Sequence, residues 1–484
     1  MNTRIRIGLK MRPARSRQSG TSSLLKQRER GQVLVFFMFL LLFAALLTFF
    51  HFSSSQATVA KTRLVNATDS AAYSVALWHA RTMNYYAYTN RAIIANEVAI
   101  AQAATMVSFS SYVYKLADNL EDIARYFPYI NQIFEAIEQI AEIAHQLTSY
   151  VARFESMART YYNAALSHSQ TIMFALSQLY TTNQLATEVG RQTAKNIFIV
   201  GMKTDVLKTV SLTRRYSDDD RQRLKDLVMR SLDPYSKDHG GTWTLSGFNK
   251  EEDWKSYLGP KVERRGQTEM IRDHDTGSFD RWQSYDTLSL HERRGFLRKR
   301  WRETLPLAWG GAEIADEAKE ELDTLDRRRG GARADGNKRT NGWAYRLVSE
   351  EDDFWSQDVY LGIPTVRELD YDSSALRKNR NFPTMRIGVV GRMSQGGATD
   401  DDGGRINRVG TAEQLGIGAG RLALKDEFFA RGKGLMALAS AEIYFKAPPR
   451  PDSRVEYASL YSPYWQARLV PVDAAWRVIY ATRP

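Results

Sequence analysis

The sequence predicts an α+β chain: a single amino-terminal transmembrane helix continuing into a long helical stalk or hairpin, then a mixed α/β exported body with a carboxy-terminal β-sheet. Three observations predict it. Val33 to Phe52, VLVFFMFLLLFAALLTFFHF, contains no charged residue, no glycine and no proline. From Gln32 to Glu188 there is no glycine at all, where average usage of about 7% predicts around eleven. The last third instead carries short alternating apolar runs bounded by Gly, Asp and Pro.

The anchor comes first. Twenty residues at about 1.5 Å rise give roughly 30 Å of helix, the thickness of a bilayer's hydrocarbon core. Its polar residues, Thr48 and His51, lie in the last turns. Before it stand Arg4, Arg6, Lys10, Arg12, Arg15, Arg17, Lys26, Arg28 and Arg30 against one acid, Glu29. That bias holds the amino end in the cytoplasm and sends the remainder across the membrane. The run exceeds the 7 to 15 residues of a signal-peptide core, so an uncleaved anchor is expected; cleavage after Ser55 is the alternative. The chain then divides into a basic tail over 1–32, the anchor over 33–52, a helical stalk over 53–210, a charged, Trp-rich module over 211–360 and a β-rich module over 361–484.

Composition bounds the rest. The 484 residues, 43% apolar and 11% aromatic, suffice for about three packed units. Of the formal charge of +12, the tail supplies +8 (nine basic, one acidic), leaving +4 for everything after it. Nucleic acid is therefore not an expected partner. The absence of cysteine excludes disulfides, thiolate metal sites, iron–sulfur clusters and c-type haem attachment.

Within the glycine-free stretch, Pro128 removes a backbone donor and predicts a helix end or kink at Phe127. Beyond it Ile130, Ile133, Ile137, Ile140, Ala144, Leu147, Val151 and Phe154 recur in steps of three and four, with Leu116, Ile123 and Tyr126 in the same register upstream. Such a seam must bury itself. It does so either in a hairpin folded back on the first helix, or against another subunit or partner. The first helix interleaves alanines (Ala71, Ala72, Ala76, Ala80, Ala87) with Tyr73, Trp78, Tyr85, Tyr86 and Tyr88. Among them Asn66, Asp69, Asn84, Asn90, Arg91, Asn96 and Glu97 are either solvated flank residues or polar layers that fix helix register.

The module after Val210 is dense in charge and tryptophan. Trp243 to Phe248 reads as a strand, Arg221 to Leu232 and Ile314 to Leu325 as helices, and Asp326 to Thr340 as an exposed loop. The basic run His291 to Arg302 has Leu297 and Trp301 four apart and reads as an amphipathic helix with a solvated face. Strands are expected at Thr384 to Val390, Arg421 to Leu424 and Ala439 to Lys446, with the apolar tail (Ser462 to Pro471, Trp476 to Tyr480) docked on them.

The tripeptide Arg30-Gly31-Gln32, the apolar span and then Asn66, Ala67, Asp69, Ala71 and Ala72 in an N-A-x-D-x-A-A run resemble the TadG-like proteins of the tight-adherence (Flp) pilus assembly system. Tyr88 to Asn96 (YTNRAIIAN) and Glu456 to Leu469 (EYASLYSPYWQARL) are similar to stretches of a larger TadG-related subgroup. The resemblance implies a non-enzymatic pilus-assembly component in a bacterial inner membrane. Its body would be periplasmic, and its partners the lipid bilayer and other assembly proteins or itself, met through the stalk. Pilin-type subunits of this system need Glu at the fifth position after the processed Gly. Here Phe36 follows Gly31 at that place, so processing is not expected. Asp370 to Ser374 lacks the third-position Ser of the D-x-S-x-S metal motif.

Motifs for chemistry are incomplete. The seven histidines form no HExxH, and no GxSxG or GxxxxGK[ST] is present. Arg272 to Gly277 and Thr399 to Gly404 do not complete an EF-hand loop, and Gly416 to Gly420 is not a dinucleotide fingerprint. No catalytic, cofactor-binding or metal-binding residue is assigned. The rival reading is a membrane-anchored periplasmic enzyme whose active site lies unrecognised in 211–360.

Overall fold

The computed structural model describes residues 30–124, 131–177, 179–193, 197–201, 213–215, 218–244, 247–249, 259–272, 279–294, 300–317, 322, 341–350, 354–370, 381–393, 435–474 and 476–477. The chain divides into two units, residues 1–63 with 394–435, and residues 64–393 with 436–484. Pro128, the basic tail, the 326–340 loop, the 421–424 strand and the glycine clusters at 396–404 and 416–420 lie outside the described residues.

Helix α1 (Arg30–Ala124) runs for 95 residues, as the glycine-free composition predicts. Two stretches of it are long and apolar enough to cross a membrane. Val33–Phe52 has a mean hydropathy of 2.9 and no part buried, as a lipid-facing span requires. Thr58–Asp122 is more than half buried, which is the signature of a core helix. The second unit is built around it. Ala67, Ala71, Ala72, Ala76, Ala87, Ala101 and Ala104 are all buried, and from Leu64 onward the stalk helix is the spine of a folded body.

Two sheets approach this spine. Strands β1 (Ile197–Gly201), β10 (Thr384–Met393), β11 (Leu435–Phe445) and β12 (Trp465–Val470) form a sheet in that order. The carboxy-terminal tail is thus a paired strand, with Phe445 opposite Trp465, and not merely a docked segment. A second sheet orders β4 (Gly247–Asn249), β3 (Gly241–Thr244), β5 (Lys261–Arg272), β6 (Phe279–Arg294), β7 (Arg300–Ala315) and β8 (Trp355–Asp358). A two-stranded piece pairs β2 (Thr213–Arg215) with β9 (Arg367–Leu369). Trp282, Met270 and Ile314 pack against Ile93, Ile100 and Val107 of α1.

Glycine permits the closest contacts. A Cβ on Gly310 of β7 would collide with the Ser108 carbonyl oxygen and the Tyr112 amide, and one on Gly391 of β10 would collide with the Thr68 hydroxyl. The Gly310 obstacle is helix backbone and cannot rotate away. Gly310→Val is therefore expected to destabilise the body by about 3 kcal/mol or more, at or above the usual range for overpacking, read as a shift in its denaturation midpoint.

Several local expectations change under long-range pairing. The basic run 291–302 is no helix: its described residues form the end of the β6–β7 hairpin where the chain turns from one strand to the other, with Arg293 opposite Trp301 and Arg294 opposite Arg300. Sixteen-residue strands on either side extend the ladder to this point and override the i, i+4 pattern. Trp243 and Phe248 face each other across a hairpin instead of sharing one strand. Ile314 and Ala315 end β7, so no helix begins at Ile314. Helix α4 (Asp218–Ser231) and strands β10 and β11 lie where the sequence puts them. Helices α2 (Asn131–Leu176), α3 (Leu179–Thr193), α5 (Pro234–Lys237) and α6 (Gly342–Glu350) complete the chain.

Candidate functional site

Helix α2 returns antiparallel along α1. The Tyr85 hydroxyl donates to Ser169 (2.6 Å), Asn96 Nδ2 to Asn163 Oδ1 (2.8 Å), and the Ser110 hydroxyl bonds His145 Nδ1 (2.9 Å), so residue numbers rise on one helix as they fall on the other. A hairpin forms, but not on the expected seam. The buried face of α2 carries Ala141, Ala152, Ser156, Thr160, Asn163, Ser167 and Gln170, a stripe of small and polar side chains.

Two buried polar layers join the hairpin to the sheets. In the first, Asn163 Nδ2 donates to Glu97 Oε1 (2.8 Å), while Trp282 Nε1 (3.1 Å) and the Tyr360 hydroxyl (2.8 Å) donate to Glu97 Oε2. Arg159 extends it, donating to Asn96 Oδ1 at 3.0 Å. In the second, Gln170 Nε2 donates to Thr89 Oγ1 (2.7 Å) and Asn90 Oδ1 (2.6 Å), and Asn90 Nδ2 donates to the carbonyls of Arg367 (2.9 Å) and Leu460 (2.8 Å). Gln170 Oε1 accepts the Arg367 amide at 2.8 Å. Asn84 pairs with both backbone groups of Trp465, each at 2.9 Å. The stretches 88–96 and 456–469, more than 350 residues apart, therefore meet.

The seven polar residues of α1 divide. Asn90, Asn96 and Glu97 are buried and Asn84 is half-buried, all of them hydrogen-bonded, as register-fixing layers require. Asn66 and Arg91 are exposed and Asp69 is half-exposed, as flank residues.

Burial pushes the Glu97 carboxyl up to about 7 from its ordinary 4.5, while the donors from Tyr360, Trp282 and Asn163 pull it back. The folded protein thus holds this proton up to about pH 7 and the unfolded chain only to about 4.5. The sign follows: its stabilising contribution is complete below pH 4.5 and is lost as pH rises toward 7, by up to ~1.4 kcal/mol per unit. Denaturant titrations should show that slope in the native chain and a flattened one in Glu97→Gln.

A second charged node sits inside the six-stranded sheet. Asp286 is fully buried and accepts from Arg264 (2.6 Å), His239 Nδ1 (3.1 Å) and the Ser108 hydroxyl (3.0 Å). Burial alone would raise its carboxyl, but His239 and Arg264 beside it hold it below the usual range. Sequence reading missed this cluster, because its members come from α1, β5, β6 and the turn at 239, and no local spacing links them. Among the described residues, no group of three or more His, Asp and Glu is placed to hold a metal ion.

What the hairpin leaves outside is the apolar seam. Its register continues past Phe154 through Ala158, Tyr161, Ala165, His168 and Ile172, and every position from Ile133 to Ile172 is exposed. Ile140 is 68% exposed, Leu147 64% and Phe154 69%. Ile143, Tyr150, Met157 and Tyr162 widen the stripe and are exposed too. Forty residues at about 1.5 Å make it ~60 Å long. Beside it a groove of about 600 Å³ opens between α1, α2 and α5, lined by Ala99, Ala103, Met106, Leu147, Val151 and Tyr235 among others. A contiguous apolar stripe of this length is more than a monomer ordinarily shows to water.

No curated protein and no solved structure matches the chain. Residues 31–79, which span the apolar run and the Asn66 to Ala72 motif, are similar to the Tad family model, described as Flp pilus-assembly TadE/G-like.

Proposed function

We propose that this chain is a membrane-anchored, non-enzymatic component of Flp/Tad-type pilus assembly that works through helix–helix contacts. Val33–Phe52 is its inner-membrane anchor, the amino end is cytoplasmic, and the body is periplasmic. The TadE/G-like match over residues 31–79 supports the system, and the charge bias before Val33 supports the orientation. The observation that carries the mode of action is the exposed heptad stripe of α2, a surface built for another helix.

Disrupting the gene should abolish surface pili, with recovery on expression of the full chain; undiminished piliation would overturn the assembly role. A reporter that is active only outside the cytoplasm, fused after Pro484, should be active, and its inactivity would overturn the orientation. Phe36 supplies no carboxylate after Gly31, so mass spectrometry should find no amino terminus at Gln32.

A further inference from the structure

We infer that Arg215 and Arg367 form a binding site for a phosphate group on one face of the β2–β9 ribbon. The ribbon sets these two arginines directly opposite each other, with Arg214 opposite Glu368 and Thr213 opposite Leu369. Side chains alternate along a strand, so Arg215 and Arg367 share one face while Arg214 and Glu368 share the other.

The two faces are built differently. On the second, Glu368 stands opposite Arg214 and also meets the Arg223 guanidinium of α4 at 3.0 Å, so its charge is matched. On the first, two cations face each other across the ladder. Among the described residues, no carboxylate pairs with either of them. Like charges directly opposite destabilise a ladder, and more so where one is shut away from water. Arg367 is only 8% exposed, and its Nε is buried without a hydrogen-bond partner. Burial, and Arg215 beside it, push its guanidinium below the ordinary range. Burial pushes the nearby Tyr86 hydroxyl up to about 12, so it stays neutral and does not compensate the pair.

The surroundings hold the pair in place. The Arg367 guanidinium carbon lies 3.5 Å from the centre of the Phe174 ring, a stack that occupies its flat side and leaves its donor edge for a ligand. The Arg367 amide donates to Gln170 Oε1 (2.8 Å) and its carbonyl accepts from Asn90 (2.9 Å), which ties β9 to both helices of the hairpin. Arg215 is exposed, and its Nε donates to the Thr365 hydroxyl at 3.0 Å. Two fixed cations with unused donors suit a group that carries about −1.5 to −2 charges on three acceptor oxygens, which is a phosphate. A single carboxylate would leave one of the two charges unmatched.

The test is the thermal unfolding of the full-length protein in detergent at constant ionic strength, with chloride replaced by inorganic phosphate, glycerol phosphate or acetate. At a tenfold excess over a millimolar dissociation constant, phosphate should raise the midpoint by roughly 2 °C, and acetate should not. Arg215→Gln, at an exposed position, should lose that rise. In chloride alone it should unfold within about 1 °C of the native chain, because it removes a repulsion and no ion pair. Arg223→Gln, on the other face, should keep the phosphate response. A rise with inorganic phosphate alone makes the free ion the ligand, and an equal rise with glycerol phosphate makes it a monoester such as a headgroup carries. No rise with either phosphate, an equal rise with acetate, or a rise that survives Arg215→Gln would overturn the inference. A larger fall of Arg215→Gln in chloride would make the arginine a structural strut of the ribbon and overturn it as well.

Discussion

Glu97→Ala is expected to cost the body about 3 kcal/mol or more, a large part of the stability of a typical domain. Asn163, Trp282 and Tyr360 all aim donors at this one side chain, and all are buried. Removing the acceptor leaves three buried donors unpaired, at about 1–3 kcal/mol each. The measurement is the denaturation midpoint of the full-length protein in detergent. Arg91→Ala, six residues earlier and exposed, should stay within about 0.5 kcal/mol of the native chain. Equal effects at the two positions would mean that the buried layer is not what fixes α1 against α2 and the sheets.

The double change Ile137→Asp with Ile140→Asp should have the opposite profile. Both side chains are exposed, so the unfolding midpoint should barely move. Association should collapse. The change brings two carboxylates into the proposed contact, each costing several kcal/mol if buried unpaired, so partner binding should weaken at least a thousandfold. Glu135→Lys, off the seam, should leave association unchanged. Cross-linking of the three proteins in native membranes reads this directly, and a parallel fall in stability for the Ile137/Ile140 variant would show that the stripe is internal after all.

The contrast between these two substitutions is also where the sequence was and was not legible. The apolar helix over 33–52, the long glycine-free helices, α4 and the strands at Thr384 and Ala439 follow from composition and local period, and the structure has them. The hairpin was one of two readings of the seam, and it formed on the other face. Ala141, Ala152, Ser156, Thr160 and Asn163 share the three-and-four spacing of the isoleucines, but are small and polar and so carry no hydrophobic signal. Only once Glu97, Trp282 and Tyr360 are brought together does that stripe have a reason to be inside.

Long-range pairing accounts for the remaining differences. Between Arg293 and Trp301 the sequence offers a helical i, i+4 pattern, whereas the β6–β7 ribbon offers a ladder that began at Arg281 opposite Ala315. That ladder runs on to partners 34 residues apart (Arg281 and Ala315), beyond any local window. Likewise the polar residues of α1 look alike in the sequence, and it is the approach of Leu460 and Arg367 that makes Asn90 an internal partner while Arg91 points to water.

On the proposed reading, α2 presents its apolar stripe outward in the folded chain and covers it in the assembled protein. Ala158→Cys, in a chain otherwise free of cysteine, measures this through the rate of maleimide labelling. Fast labelling of dilute, detergent-dispersed protein and strong protection in native membranes is the result expected. Equal and fast labelling in both would contradict the account, because the stripe would then be a solvated face with no partner.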